Sequence, residues 1–330
     1  MSLQRPFASL AGCALAFSLL LTATATRAQT LPDLIKPPAG LNLGGTSFFD
    51  GFGRVDPGFV LIDYGRFDFF NKITDQYGGA NPAFNNPEIQ SQTNIFQFIY
   101  VSPFAIDAGS FGYTTLVPFT ALEAQTHAPG IMFRANGFGL SDVTTGPFFQ
   151  SKPIIRDGRP VFSYRAEFDV LVPVGAFNRN ADINQSAGFY SINPYLAMTY
   201  LPTPKIEMSA RVHYLYNYST SRISNPPPIP GLTYGNGQAG QLAWVNFTTS
   251  YEVNEGVNLG LNGYYLHQFT QDKLNGMGLA NSRQELLYLG PGMHVKLGVH
   301  DAINLNLYLP AYVRNAPQGP EFNAQYIHPF

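Results

Sequence analysis

Between Pro160 and Gly175 the chain sets Arg165, Glu167 and Asp169 at alternate positions, and from Lys205 to Asn217 the odd positions include Lys205, Glu207, Arg211 and His213. Side chains two residues apart share a face only when the chain is extended, so both runs read as β-strands with a charged face. Mixed charges gathered on one face can select which solutes move along a passage. They can also pair with one another and fill a closed interior. The opposite faces are apolar: Phe162, Tyr164, Ala166, Phe168, Val170 and Val172 in the first run, and Ile206, Met208, Ala210, Val212, Tyr214, Tyr216 and Tyr218 in the second. In a soluble, secreted β-sandwich the charged face would meet bulk water; in a membrane barrel it would meet an enclosed lumen.

The same alternation recurs along the chain. Val257, Leu259, Leu261, Gly263 and Tyr265 oppose Asn258, Gly260, Asn262 and Tyr264; Ile303, Leu305, Leu307, Leu309 and Ala311 oppose Asn304, Asn306 and Tyr308. Tyr190, Ile192, Leu196, Met198 and Tyr200 oppose Ser191, Asn193, Ala197 and Thr199. About twelve strand candidates follow, near 57–71, 92–102, 110–120, 140–150, 160–173, 188–201, 205–218, 240–253, 257–269, 284–298, 303–313 and 321–330, a length suited to tilted membrane spans. The first three are the weakest, and around Gly65 the apolar side switches as a bulge would make it do. Tight connections at 202–204, 254–256 and 299–302 alternate with long loops at 72–91, 121–139, 174–187, 219–239 and 270–283. Short periplasmic turns and long outer loops are the pattern of an outer-membrane barrel.

Composition agrees. The 330 residues are only 12% charged but 14% aromatic, with 27 Phe, 19 Tyr, 32 Gly and 26 Pro. Beyond the N-terminus no run is long and apolar enough for a helical span, whereas the alternating faces of a barrel average out in hydropathy. The fold class expected is therefore all-β: a transmembrane, antiparallel, up-and-down β-barrel. The N-terminus reads as a leader at 1–28, with basic Arg5, an apolar run from Leu10 to Leu21 and a cleavage site after Ala28. Its removal takes Arg5 and Arg27 but no acid, which moves the net charge from −2 to −4. No basic patch points to nucleic acid. Leu10-Ala11-Gly12-Cys13 has the form of a lipidation site, but the apolar run extends past the cysteine rather than before it. Cys13 is the only cysteine, so a mature chain would hold no disulfide and no cysteine nucleophile.

Catalytic signatures are absent: no GxSxG, HExxH, phosphate loop or dinucleotide fingerprint. The histidines at 127, 213, 267, 294, 300 and 328 have no ligand spacing. No enzyme, metal or cofactor is expected; a membrane lipid hydrolase with a Ser-His-Asn array is a remote alternative without a local signature. Arg165, Glu167 and Asp169 are expected to meet Lys205, Glu207, Arg211 and His213 across one intervening strand, roughly 10 Å away, past Asn193 and Tyr195. Tyr214, Tyr216 and Tyr218 at one rim, with Tyr195 and Tyr200, could form an aromatic girdle at headgroup level. The closing segment places Phe322, Ala324, Tyr326, His328 and Phe330 on one face, the kind of C-terminal strand that barrel-insertion machinery reads.

Three stretches occur in order: Gly137-Phe138-Gly139-Leu140-Ser141-Asp142, followed by Pro147-Phe148; Leu171-Val172-Pro173-Val174-Gly175-Ala176-Phe177; and Asn193-Pro194-Tyr195-Leu196-Ala197-Met198-Thr199-Tyr200. Their order and spacing resemble the family called "Putative MetA-pathway of phenol degradation" over roughly residues 55–330. Ser141 stands where that family has Gly, and Val174 where Thr is common. The resemblance implies an outer-membrane protein for passive uptake of small hydrophobic or aromatic compounds, with outer-membrane lipids as surroundings and no catalytic residues. It singles out Asp142, which could instead cap its own Gly-rich turn. The rival reading is a closed structural barrel without transport. Residues 29–56, between the leader and a barrel at 57–330, carry Leu31, Leu34, Ile35, Leu41, Leu43, Phe48, Phe49 and Phe52. They are expected to enter the lumen as a plug or to hang as a periplasmic tail.

Overall fold

The computed structural model describes residues 37–38, 40–127, 133–226, 230–298 and 300–330, within a compact unit spanning Asp33–Phe330. The leader expected at 1–28, with Arg5, Cys13 and Ala28, lies outside the described residues. So do Leu31, Leu34 and Ile35.

Twelve wall strands are present among the described residues: β1 Gly58–Phe70, β2 Glu88–Ile106, β3 Gly109–Gln125, β4 in two halves Gly137–Leu140 and Val143–Ser151, β5 Arg159–Val172, β6 Ser191–Tyr200, β7 Ile206–Asn217, β8 Leu242–Asn254, β9 Val257–Gln268, β10 Glu285–Leu297, β11 Asp301–Arg314 and β12 Glu321–Pro329. Each pairs antiparallel with its neighbours in sequence. β1 closes the circle, pairing with β2 from Gly58↔Val101 to Phe70↔Ile89 and with β12 from Val60↔Pro329 to Asp68↔Glu321. A closed antiparallel wall satisfies its backbone groups internally, which hydrocarbon demands. The turns at 107–108, 201–205 and 255–256 lie at one end, and the described parts of the long loops at the other.

Alternation sets the faces. On β5, Val161, Ser163, Arg165, Glu167, Asp169 and Leu171 point inward and are buried, while Phe162, Tyr164, Phe168 and Val170 face out. Leu259, Leu261, Leu289, Leu309 and Phe322 extend the outward apolar surface. Tyr214, Tyr216 and Tyr218 face out at the loop rim and Tyr200 at the turn rim. Around the turn rim run Phe104–Phe111 at 5.1 Å, Phe111–Phe149 at 5.2 Å and Phe149–Tyr164 at 6.0 Å between ring centres. Tyr195, counted toward the girdle from sequence, instead points inward and is 7% exposed, because it shares parity with Asn193 and Ala197.

Two further expectations differ. β1 has no bulge at Gly65; its register is continuous against both neighbours. The apparent switch arises because its inward face is apolar at one end (Val60, Ile62, Tyr64) and charged at the other (Arg66, Asp68). Two of the three weakest-looking segments become the longest strands: β2 has 19 residues and β3 has 17. The register of β4 slips by one residue at Ser141–Asp142, since Leu140 pairs with Phe119 but Thr144 pairs with Leu116.

Proline also interrupts the wall. Pro291 on β10 has no N–H to give β11, and no ladder pair forms there between Leu289↔Leu309 and Gly292↔Asn306. Asn262, one strand back on β9, reaches across: its Nδ2 donates to Leu307 O at 3.0 Å. Gly290 and Gly292 leave it room, since a Cβ at Gly292 would meet Asn262 Oδ1.

Candidate functional site

The inward faces and the segment preceding β1 make the candidate site. Residues 40–57 run along the inside of the wall from the loop end, where Leu41 packs, toward the turn end, where Val55 meets β3. Ser110 Oγ donates to Val55 O at 2.5 Å. Gly51 N donates to Thr199 Oγ1 at 2.8 Å, and Gly51 O accepts from Gln150 Nε2 at 2.9 Å. A Cβ on Gly51 would collide with the backbone of Ser163 and Thr199, so glycine lets the segment press against β5 and β6.

At mid-height Asp50 and Arg211 form a two-pronged ion pair, Nε to Oδ2 at 2.8 Å with Nη2 to Oδ1 as the second prong. Phe49 N donates to Glu207 Oε1 at 3.1 Å; Glu207 also accepts from Thr248 Oγ1 at 3.1 Å and Ser250 Oγ at 2.9 Å. Asn42 O accepts from Asn246 Nδ2 at 2.7 Å and Trp244 Nε1 at 3.0 Å. Gly44 O accepts from Tyr308 OH at 2.7 Å and Asn323 Nδ2 at 2.8 Å.

The sequence-derived site residues divide. Arg165, Glu167, Asp169, Glu207, Arg211 and His213 are all buried and inward. Lys205 is not among them: it is exposed in the turn before β7, with its ammonium 5.9 Å from the outward Tyr251 ring. The expected pairing of β5 acids with β7 bases is replaced by nearer partners. Arg165 lies 3.6 Å from Glu167 on its own strand and over the Phe148 ring at 4.0 Å. Arg211 takes Asp50 and stands over the Tyr195 ring at 4.4 Å. Tyr195 on the intervening β6 fills the gap that the carboxylates would have had to cross. Glu167, Asp169, Asn193, Arg211 and His213 help line a cavity of about 30 Å³, room for a water or two.

Asp142 holds a loop rather than its own turn. It accepts from Gly175 N at 3.2 Å and Ala187 N at 2.8 Å, tying the β4 slip to the connection after β5. A Cβ on Gly175 would press on the backbone of Leu140, Ser141 and Asp142, which explains why the Gly-Leu-Ser-Asp and Val-Pro-Val-Gly stretches belong together.

Sequence reasoning did not find the interior of the loop end. There Leu171, Leu215, Leu242, Leu266, Leu286 and Val313 point inward and join Trp244, Tyr264, Tyr288 and Tyr308 in one buried apolar cluster, which Leu41 completes and Leu43 packs against. Trp244 stacks on His213 at 4.1 Å, and Tyr264 on Tyr288 at 4.9 Å. Arg66 sits beside this cluster with Asp68 at 2.8 Å and Glu321 at 3.3 Å, and Tyr264 OH donates to Glu321 Oε1 at 2.9 Å. The inward parity of Tyr264 and Tyr308 was legible; that three strands bring these rings together depends on register, which alternation does not encode.

The family profile "Putative MetA-pathway of phenol degradation" matches residues 70–326. The chain belongs to this family. No curated protein matches it. Among solved structures, the COG4313 outer membrane channel from Pseudomonas putida F1 is similar at 13% identity, covering 86% of this chain and 100% of that one with a TM-score of 0.73. That likeness is one of fold. The beta domain of the Bordetella autotransporter BrkA (14% identity, 83% and 100% covered, TM-score 0.43) and the TodX monoaromatic hydrocarbon channel deltaS2 mutant (11% identity, 87% and 97% covered, TM-score 0.46) are more distant.

Proposed function

We propose that this member of the family is an outer-membrane channel for passive passage of small hydrophobic or aromatic compounds. The observation that carries the reading is the lumen's lining. A barrel interior meant for water and ions is polar, yet here the loop end of the lumen presents leucines, tyrosines and Trp244 inward. Such a vestibule costs stability in an empty aqueous lumen and suits an apolar solute. Below it, the charged patch of Arg165, Glu167 and Asp169 on β5 and Arg211 and His213 on β7, with Asp50 facing it, forms the selective constriction. Residues 40–57 act as its plug, held by Asp50 on Arg211. The outward apolar surface and its aromatic rims support a barrel seated in lipid.

Proteoliposomes carrying the folded protein test this. A small aromatic solute should enter faster than a sugar of similar mass, and shortening the segment by residues 29–50 should raise the rate. Entry of neither solute, with the segment present or removed, would sink the channel reading. One observation favours the rival, a closed structural barrel: the segment's hydrogen bonds to the wall run nearly its whole length. Removal of the segment separates the two, because a closed structural barrel would lose stability without gaining a solute flux.

A further inference from the structure

We infer that the outer wall from β5 to β10 carries a docking site for one glycerophospholipid with an anionic headgroup, its acyl chain in an apolar hollow and its phosphate at Lys205. The inference rests on the barrel being seated in lipid and goes beyond the channel reading, which it does not need. The hollow follows from register. Phe162, Tyr200, Met208, Thr249, Leu261 and Pro291 stand in one outward row of paired residues; Met198, Ala210, Phe247, Gly263 and Leu289 stand in the next row toward the loop end. Paired side chains on one face are neighbours. Long and short ones alternate here, so Ala210, Thr249 and Pro291 lie as a floor among longer side chains. A Cβ on Gly263 would come within 2.5 Å of the Phe247 ring and 2.7 Å of Leu289, so these two close the hollow on the loop side. Its volume is about 790 Å³ and its lining is almost wholly apolar, a size usual for ligand sites. A convex wall meets many lipids alike; a hollow of this size holds one chain in place.

The polar end lies where a headgroup must. Two residues from Met208 toward the turn end, Ile206 pairs with Tyr251. Lys205 comes next, exposed, with its ammonium 5.9 Å from the Tyr251 ring and no ion pair among the described residues. Tyr200 on β6 and Tyr251 on β8 flank it, each about half exposed, with hydroxyls that can donate to a phosphate oxygen. Arg159 adds a second cation beneath the Phe162–Tyr200 pair: its Nη1 and Nη2 donate to Leu201 O and Pro202 O, both at 3.0 Å, which braces the turn. Carboxylates of this rim look elsewhere. Glu252 shares the inward parity of Ser250 and accepts from Gly256 N at 3.1 Å; Asp157 and Glu255 sit at the tips of neighbouring turns. An ammonium without a counter-ion, two hydroxyl donors and an apolar hollow on the same wall match a phosphodiester joined to an acyl chain. A zwitterionic headgroup would bring its own cation beside Lys205 and should bind less well.

The full protein, folded in neutral detergent and stripped of lipid, would be titrated with phosphatidylglycerol and followed by native mass spectrometry, with folding checked by heat-dependent gel mobility. One lipid should bind more tightly than those after it, and phosphatidylcholine of the same chain length should bind that place less tightly. Lys205→Gln should weaken the first binding about fivefold, the share of one basic side chain at a membrane surface. Ala210→Trp fills the hollow from the lipid side and should remove the first binding, whereas Phe98→Trp, on the outward face of β2, should not. If Ala210→Trp does not fold, Lys205→Gln still decides, because it changes only an exposed turn residue. A first lipid no tighter than later ones, equal binding by Lys205→Gln, phosphatidylcholine bound as tightly, or displacement of the lipid by glycerol phosphate would overturn the inference. So would a dimer that Ala210→Trp dissociates, since a second copy would then fill the hollow. Solute flux is read separately: flux without a tight lipid would reject this site and leave the channel, and a tight lipid without flux would do the reverse.

Discussion

Arg211 on β7 and Asp50 of the N-terminal segment meet inside the barrel, 161 positions apart in sequence, with Arg211 Nε 2.8 Å from Asp50 Oδ2. This pair joins the wall to a segment that has no strand of its own. Each partner is about one-tenth exposed, so neither can exchange the other for bulk water while the segment is seated.

Asp50→Asn should therefore unseat the segment rather than unfold the barrel. An unpaired buried arginine costs about 3–5 kcal/mol, and release of 40–57 relieves that cost without breaking a wall ladder. Single-channel recordings should show a several-fold conductance increase with unchanged heat-dependent gel mobility. Wild-type conductance in the variant would show that the pair does not hold the segment.

Gly51→Val tests the same closure by steric means. Its side chain would enter the backbone of β5 and β6, which the closed wall cannot move. The variant should fold and conduct like Asp50→Asn. Combining the two should add little, because both release one element.

Asn262 and Pro291 make a coupled pair in the wall. Asn262→Ala leaves Leu307 O without its side-chain donor, a loss of about 1–3 kcal/mol, seen as a lower heat-denaturation midpoint. Pro291→Ala restores a backbone N–H to β10. In the Asn262→Ala background it should recover most of the loss. Additive effects of the two substitutions would contradict the bridging role of Asn262.

Much of this architecture was legible because a strand's period is two. The parity of β5 and β7 placed Arg165, Glu167, Arg211 and His213 inward, and the twelve spans emerged near their observed bounds. What alternation could not supply was partnership. Asp50 lies in a stretch without periodicity, so nothing marked it as the counter-ion of Arg211. Tyr195 was misplaced because tyrosine is as common at a lipid rim as beside a buried arginine. Lys205 shares the parity of Glu207 but stands one residue before the strand, where the turn directs it outward. Arg66 and Asp68 were obscured because the inward face of β1 changes from apolar to charged along its length.

Asp142 holds the connection between β5 and β6 by two backbone amides. Asp142→Ala should expose residues 176–187 to limited proteolysis while the wall's melting changes little, since exposed loops open locally without global unfolding. Asp142→Asn, which keeps one acceptor oxygen, should fall between. Equal proteolysis of all three proteins would mean the loop is held elsewhere.

The most direct test of the central claim is flux of a small aromatic solute into proteoliposomes carrying the wild-type protein or Asp50→Asn, against a sugar of similar mass. The account predicts aromatic entry above empty vesicles, faster than the sugar, and faster still in the variant. Flux equal to that of empty vesicles in both proteins, with folding verified, would contradict it.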